Sequence, residues 1–511
     1  MWVDGAARVA CVTAVRRVAG RSVTTVDGLS PDLQQRWVSA FTGAGASQCG
    51  FCTPGIVMRL AALERGNRPP SRETIESALV AHLCRCTGWQ SIVEAAGVAL
   101  GVRDASPTMP TDPLLAAWRA QIEGPMFQNS GPDVVLGGGG FADDSSPAGA
   151  LVVLGAADDT APAPSLASAR QGSGKVQGRN STVPLVHPVP LPEGEWAVTL
   201  QTTWVEPAYV EPDASWCRPG ESPATPLANG GAFGGKRRSP APARARALAT
   251  ELNEPVRVLW SREDVVRHGP KRPPVALGLR PDGSGIIRLG RTDGSPDLSA
   301  IHQRVRAIDP DGRIDIEEVD VLGPPVGAEL RGAGWAELLA ALSALTANTV
   351  PRPAIDPGTG HADVTLPSGA RAVVHLDPAA GDGRGTLTAE VWAGEPLDAV
   401  TLRSYVLGAV HQALGLVWSE GIAVNDEGRP LDLTIRSFGI LAARDLPDIE
   451  VTLHPDDRWP VNGSDAVYAA TLAAAWIAEG LPPRWPTRRT GGRSRTLAVA
   501  PSTTPSTTPS P

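Results

Sequence analysis

The sequence predicts a multidomain α+β protein, with a small four-helix unit followed by a longer mixed α/β region. Three observations carry that expectation. Helical periodicity runs from about residue 31 to 100, alternation and β-branched residues return after about residue 195, and four of the six cysteines fall in two close pairs between Cys49 and Cys86. At 511 residues the chain is too long for one compact unit, about three or four being usual for that length.

Composition narrows the class. Charged residues make up 20% and the net charge is −8, which argues against a nucleic-acid or anionic-membrane partner. Hydrophobic residues reach 42%, enough for a real core. No apolar run approaches the roughly 18 residues that a membrane span needs. Met1-Trp-Val-Asp-Gly5 lacks a basic-then-apolar leader pattern. A cytoplasmic protein is expected.

The first 30 residues read as strand and turn, with Val9, Val12, Val15 and Val23 among Gly and Asp. Four helices follow. Pro31 to Phe41 sets Leu33, Trp37 and Phe41 on one face, and Pro54 to Glu64 does the same with Ile56, Leu60 and Leu63. A third begins at Ser71, an N-cap, with Ile75, Leu79 and Leu83 in line. The fourth follows Thr87 and carries Ile92, Ala95, Ala96 and Ala99. Residues 102 to 190 read as loop and linker, above all Gly137 to Gly140 and Ser165 to Ser181, interrupted by the strand-like Ala150 to Leu154. Trp196 to Leu200 and Val256 to Trp260 read as strands; Ala336 to Leu345, Leu402 to Leu416 and Asp465 to Glu479 read as helices. The Pro-Ser-Thr-Thr tail from Pro501 is expected to be disordered.

The cysteines carry the chemistry. Cys49-x2-Cys52 and Cys84-x-Cys86 each stand just before a helix start. Thr53 is the expected N-cap of one, and Thr87-Gly-Trp-Gln90 has capping-box spacing for the other. Free N–H groups and partial positive charge would then face the thiolates. A [2Fe–2S] rhomb takes two thiolates per iron and accepts the tight Cys84-x-Cys86 half. A zinc knuckle prefers the two-residue spacing on both sides, and four unliganded buried thiols are the bland alternative. The iron–sulfur reading is favoured. Cys217 stands alone and reads as structural, and the eight histidines show no ligand spacing.

Gln48-Cys-Gly-Phe-Cys-Thr-Pro-Gly55 and Leu83-Cys-Arg-Cys-Thr-Gly-Trp89 closely resemble the helical [2Fe–2S] domain of the molybdenum hydroxylases, the xanthine dehydrogenase, aldehyde oxidase and carbon monoxide dehydrogenase superfamily. Val3 to Leu29 resembles the end of that family's ferredoxin-like domain. Cys11 matches its last ligand without the other three, and is expected to be an orphan. Gly230-Gly-Ala-Phe-Gly-Gly-Lys236, alone an ordinary glycine-rich turn, resembles the family's molybdopterin loop. The resemblance implies cofactor contacts at Gly231, Phe233, Gly234 and Gly235, with Lys236 adding charge. Glu206 to Pro212, Val258 to Asp264, Lys271 to Pro273, Tyr405 to Gly415 and Asn425 to Gly428 resemble neighbouring family segments. Gly138 to Asp144 is looser kin to the hammerhead domain.

On this resemblance the chain divides into a ferredoxin-like remnant (1–30), a helical [2Fe–2S] domain (31–105), a linker (106–130), an abbreviated hammerhead-like domain (131–195), an abbreviated molybdopterin-binding region in two parts (196–345 and 346–490) and a tail (491–511). The implied activity is hydroxylation of a purine, N-heterocycle or aldehyde, electrons leaving through the cluster to a separate flavin-containing subunit. Departures from the family matter. The stretch between Pro212 and Gly230 is short, Ser404-Tyr405 stands where the family has a cofactor-contacting Gly-Gln, and Ser464 stands where it has its glutamate base. Asp465 and Glu479 are the nearby carboxylates, read as solvated helix residues. No catalytic residue is assigned. The alternative function is a non-catalytic electron-transfer or assembly subunit.

Overall fold

A computed structural model describes residues 1–490 apart from 67–68, 105–111, 125, 157–159, 173–182, 226–231, 296, 350–357 and 382, together with 493–494. The N-terminal strands Trp2–Val3, Ala6–Ala7 and Val23–Thr24 form a small sheet ordered with Trp2–Val3 in the middle. Short 3-10 turns fill the rest of that segment.

Four helices then build the cysteine-bearing unit: Pro31–Gly43, Thr53–Ala61, Arg72–Leu79 and Gln90–Ala99. Their apolar faces meet in one core through Trp37, Phe41, Ile56, Leu60, Ile75, Leu79, Ile92 and Ala96. Ser71 caps the third helix by accepting from Thr74 N–H at 3.2 Å, as its sequence implies. Two caps differ. The second helix starts one residue early, with Cys52 at the N-cap and no side-chain cap, and the Thr87–Gln90 capping box does not form. Trp89 caps the fourth helix instead, at φ +64°, because Thr87 turns to a cysteine sulfur.

The stretch read as linker contains an eleven-residue helix, Pro113–Glu123, capped by Asp112. A short helix, Leu166–Gly172, occupies part of the expected loop from Ser165; the remainder to Ser181 and the Pro501 tail lie outside the described residues.

Three larger sheets follow, besides a two-stranded pair of Arg489–Thr490 with Arg493–Ser494. Leu151–Leu154, Val256–Leu259 and Ala214–Cys217 make a three-stranded sheet covered by Ala241–Leu252, with its own small core. Val198–Gln201, Val275–Leu279, Gly285–Arg291 and Ile314–Asp320 pair in that order. Gly360–Thr365, Arg371–Asp377, Thr386–Trp392 and Asp448–Leu453 form the last sheet. Alternate residues of its first three strands are buried, as period-two pleating against a single core face requires. Helices Trp335–Thr349, Ala399–Trp418 and Gly463–Ala478 pack together against that face. No helix among the described residues is long and apolar enough to cross a membrane.

Candidate redox site

The two cysteine loops converge where the four-helix unit meets the Ala399–Trp418 helix. Cys49, Cys84 and Cys86 are buried, Cys52 is half-buried, and all four are free thiols. Cys86 Sγ lies 3.5 Å from Cys49 Sγ, and Cys84 hydrogen-bonds both Cys52 and Cys86. The Cys86–Cys49 and Cys84–Cys52 contacts thus join one loop to the other. Two facing thiol pairs suit a rhomb with two irons. The donor set fits a [2Fe–2S] cluster.

Electrostatics agree. Hydrogen bonds from Cys52 and Cys86, then from Thr87, hold Cys84 well below the usual thiol range. Cys49 is lowered by its bond with Cys86. Their partners Cys52 and Cys86 are pushed well up, first by those same bonds and then by burial. Four thiolates cannot all form in so small a buried space without a cation to compensate them, which iron supplies.

Backbone proximity fixes the seam. A Cβ on Gly88 (φ +63°) would stand 2.2 Å from Leu407 O, and one on Gly408 would stand 1.9 Å from Cys86 O. Only glycine lets the helix press against the cluster loop. Gln48 Nε2 donates to Cys86 O at 2.9 Å and to Ser404 Oγ at 3.0 Å. Arg85, between the two loop cysteines, points away and makes a bidentate pair with Glu420 at 2.6 and 2.8 Å. Trp89 Nε1 donates to Leu441 O, and Gln90 Oε1 accepts from Ile449 N–H.

The second expected site is assembled differently from its sequence reading. Phe233 is buried at φ +38°, a backbone region that bulky residues visit at a cost and that often marks functional sites. Its ring meets Tyr405 edge-on at 6.1 Å, and Arg331 lies over it at 4.6 Å. Gly234 (φ +96°) admits no side chain, since a Cβ would stand 1.9 Å from Glu329 O. Gly235 packs beside Tyr209. Gly230 and Gly231 lie outside the described residues. Lys236 is not poised for an anion: its buried ammonium pairs with Glu211, a partner that the local loop motif cannot reveal.

Ser464 is fully buried, and its Oγ accepts a hydrogen bond from Arg331 Nη2. Asp465 accepts from Arg331 Nε at 2.8 Å, and Glu479 pairs with Arg488; neither is the solvated residue its sequence suggests. A carboxylate does approach position 464, from the Pro113–Glu123 helix. Glu123 accepts from Gly463 N–H at 3.1 Å, Ser464 N–H at 2.8 Å and Arg119 Nη2 at 2.6 Å. Sequence reading missed it; the Arg119-x3-Glu123 spacing was the available signal. Tyr405, buried beside Cys86 and Cys49, donates to Gln128 Oε1 at 3.4 Å.

Around Phe233 the described residues fit a pterin in part. Gln48 Oε1 and Arg331 Nη1 are buried without hydrogen-bond partners, as atoms awaiting a ligand would be. The cavity bounded by Arg85, Phe233, Arg331, Glu420 and Tyr468 has a volume of only ≈ 40 Å³, room for a water rather than a cofactor.

Cys11 is exposed and free, and Cys217 is buried with its Sγ on Arg218 O and Glu221 O at 3.2 and 3.3 Å.

Residues 25–97 match the [2Fe-2S] binding domain family. A probable xanthine dehydrogenase subunit of Bacillus subtilis is 40% identical over 94 residues, 18% of this chain and 54% of that protein. The nicotine 6-hydroxylase small subunit of Paenarthrobacter nicotinovorans is 44% identical over 93 residues, 18% of this chain and 56% of its own length. The chain therefore spans about half the length of these curated relatives. The aldehyde oxidoreductases of Desulfovibrio gigas and Desulfovibrio desulfuricans share the fold, with TM-scores of 0.64 and 0.66 at 15% identity. Those alignments cover 95% and 94% of this chain and 93% of each structure. Residues 25–97 are thus a [2Fe–2S]-binding domain set into an aldehyde-oxidoreductase-like fold. This segment is similar to the [2Fe–2S] domains of xanthine dehydrogenases and aldehyde oxidases, and the chain as a whole shares the aldehyde oxidoreductase fold.

Proposed function

We propose that this chain is a molybdenum-hydroxylase-type oxidoreductase component in which Cys49, Cys52, Cys84 and Cys86 hold one [2Fe–2S] cluster. The observation that carries the reading is the facing of the two thiol pairs at the seam with the Ala399–Trp418 helix. The cluster relays single electrons between the second half of the chain and a partner, and a flavin-containing subunit is the partner class proposed. The substrate class is a purine, N-heterocycle or aldehyde. A molybdopterin, when bound, supplies the two-electron oxidation of that substrate. Its contacts would fall to Gly231, Phe233, Gly234 and Gly235, with Gln48 Oε1 and Arg331 Nη1 as further polar partners. The free thiols support a reducing, cytoplasmic location.

A second reading, a non-catalytic electron-transfer or assembly subunit, is favoured by one observation. Ser464 Oγ already accepts from Arg331, and a serine hydroxyl so engaged is a poor general base. Molybdenum content and xanthine or aldehyde turnover, measured with and without a flavin subunit, separate the two. Bound molybdenum with family-like turnover supports the enzyme; a reducible cluster without molybdenum or turnover supports the electron-transfer subunit.

A further inference from the structure

Of the hydroxyls beside the four cysteines, Ser47 and Thr53 bond each other at 2.9 Å. Among the described residues, Thr87 is the one that turns to sulfur: its Oγ1 lies 3.2 Å from Cys84 Sγ. The contact is built rather than incidental. Thr87 is 1% exposed, its backbone N–H bonds the same cysteine, and its C=O accepts from Ser91 Oγ at 3.4 Å. Cys49 receives a backbone N–H from Phe51, and Cys52 its own. Cys84 thus receives a hydroxyl in addition to a backbone donor.

We propose that Thr87 sets the reduction potential of the cluster, its O–H donating to Cys84 Sγ and favouring the reduced state. This rests on the reading that the four cysteines hold a [2Fe–2S] centre. An iron-bound sulfur has no proton, so it can only accept and the hydroxyl must donate. Reduction adds one electron to the cluster, breaks no bond and moves no proton. The extra negative charge spreads onto the cysteine sulfurs, and a hydrogen bond to a charged acceptor is stronger than one to a neutral acceptor. Burial keeps water from replacing it and enlarges the difference. Hydrogen bonds to cluster sulfurs are one of the levers by which a protein sets such potentials. The sequence reading gave Thr87 a helix cap; the structure gives that hydroxyl to the metal site instead.

The experiment is an EPR-monitored redox titration of the full chain, with dithionite as reductant, for the wild type, Thr87→Val and Thr87→Ser. Valine keeps the shape and removes the donor, whereas serine keeps the donor. Thr87→Val should lower the equilibrium constant for reduction about tenfold, a fall of about 59 mV for one electron, while Thr87→Ser stays near wild type. An unchanged potential in Thr87→Val, or equal shifts in both variants, would overturn the proposal. If Thr87→Val fails to retain its cluster, the wild-type protein decides by proton ENDOR. A strongly coupled exchangeable proton that is present in the wild type and in Thr87→Ser, beyond those of the backbone N–H donors, supports the bond, and its absence overturns it. A chain without any [2Fe–2S] signal fails at the underlying reading, which distinguishes that failure from a coloured protein with an insensitive potential.

Discussion

At the scale of single residues, pairing decides what each motif does. The cysteine constellation is legible from sequence because its spacing directly encodes which thiols can share a centre. The fates of Thr87 and Lys236 are not, because Cys84 and Glu211 take them through contacts that only the fold creates. Arg85 is the same kind of case: nothing local to Cys84-x-Cys86 announces Glu420. That buried, bidentate pair yields a prediction. Arg85→Ala would leave Glu420 uncompensated and should cost about 3–5 kcal/mol, whereas removing both charges as Arg85→Met/Glu420→Gln should recover much of the loss. Denaturant unfolding of the cluster-loaded protein checks it, and a double variant no better than the single would contradict it.

At the scale of elements, helices with strong apolar periodicity are legible in the sequence and the others are not. The four cysteine-domain helices and the three long C-terminal ones have apolar periodicity that survives in the fold. The Pro113–Glu123 helix was hidden in Ala-, Pro- and Ser-rich surroundings, and its purpose is visible only in Glu123 capping the Gly463–Ala478 helix. Glu123→Gln should destabilise the protein by about 1–3 kcal/mol, the usual cost when a buried, charge-assisted hydrogen-bond set is weakened. A thermal or denaturant midpoint equal to wild type would show that Glu123 does not hold that helix end. The seam gives a second test. Gly408→Ala places a methyl against Cys86 O, so overpacking should cost about 1–3 kcal/mol and alter the EPR line shape of the cluster. An unaltered spectrum would mean that the helix does not press on the cluster loop.

At the scale of the whole molecule, the [2Fe–2S] domain and the second half share one continuous core running from Trp2 to Trp485. Stability and redox function should therefore fail together. Acid is one route. Burial holds His187 and His411 below their ordinary range, so the unfolded chain binds protons that the folded chain refuses. Their contribution is fully present above the ordinary value of about 6.5 and is lost as pH falls from there through their lower folded values. His411→Gln should flatten the acid side of the stability profile; an unchanged slope would remove His411 from the account.

The proposed [2Fe–2S] centre has Cys49, Cys52, Cys84 and Cys86 as its four ligands. Iron, zinc and acid-labile sulfide analysis with EPR, on the wild-type protein and on Cys84→Ala, tests it most directly. The wild-type chain should carry about two irons and two sulfides and give one signal on reduction, and Cys84→Ala should lose both metal and colour. Cys11, without partner thiols among the described residues, should add nothing. A colourless protein holding zinc, about four irons per chain, or a Cys84→Ala variant that keeps its cluster would contradict it.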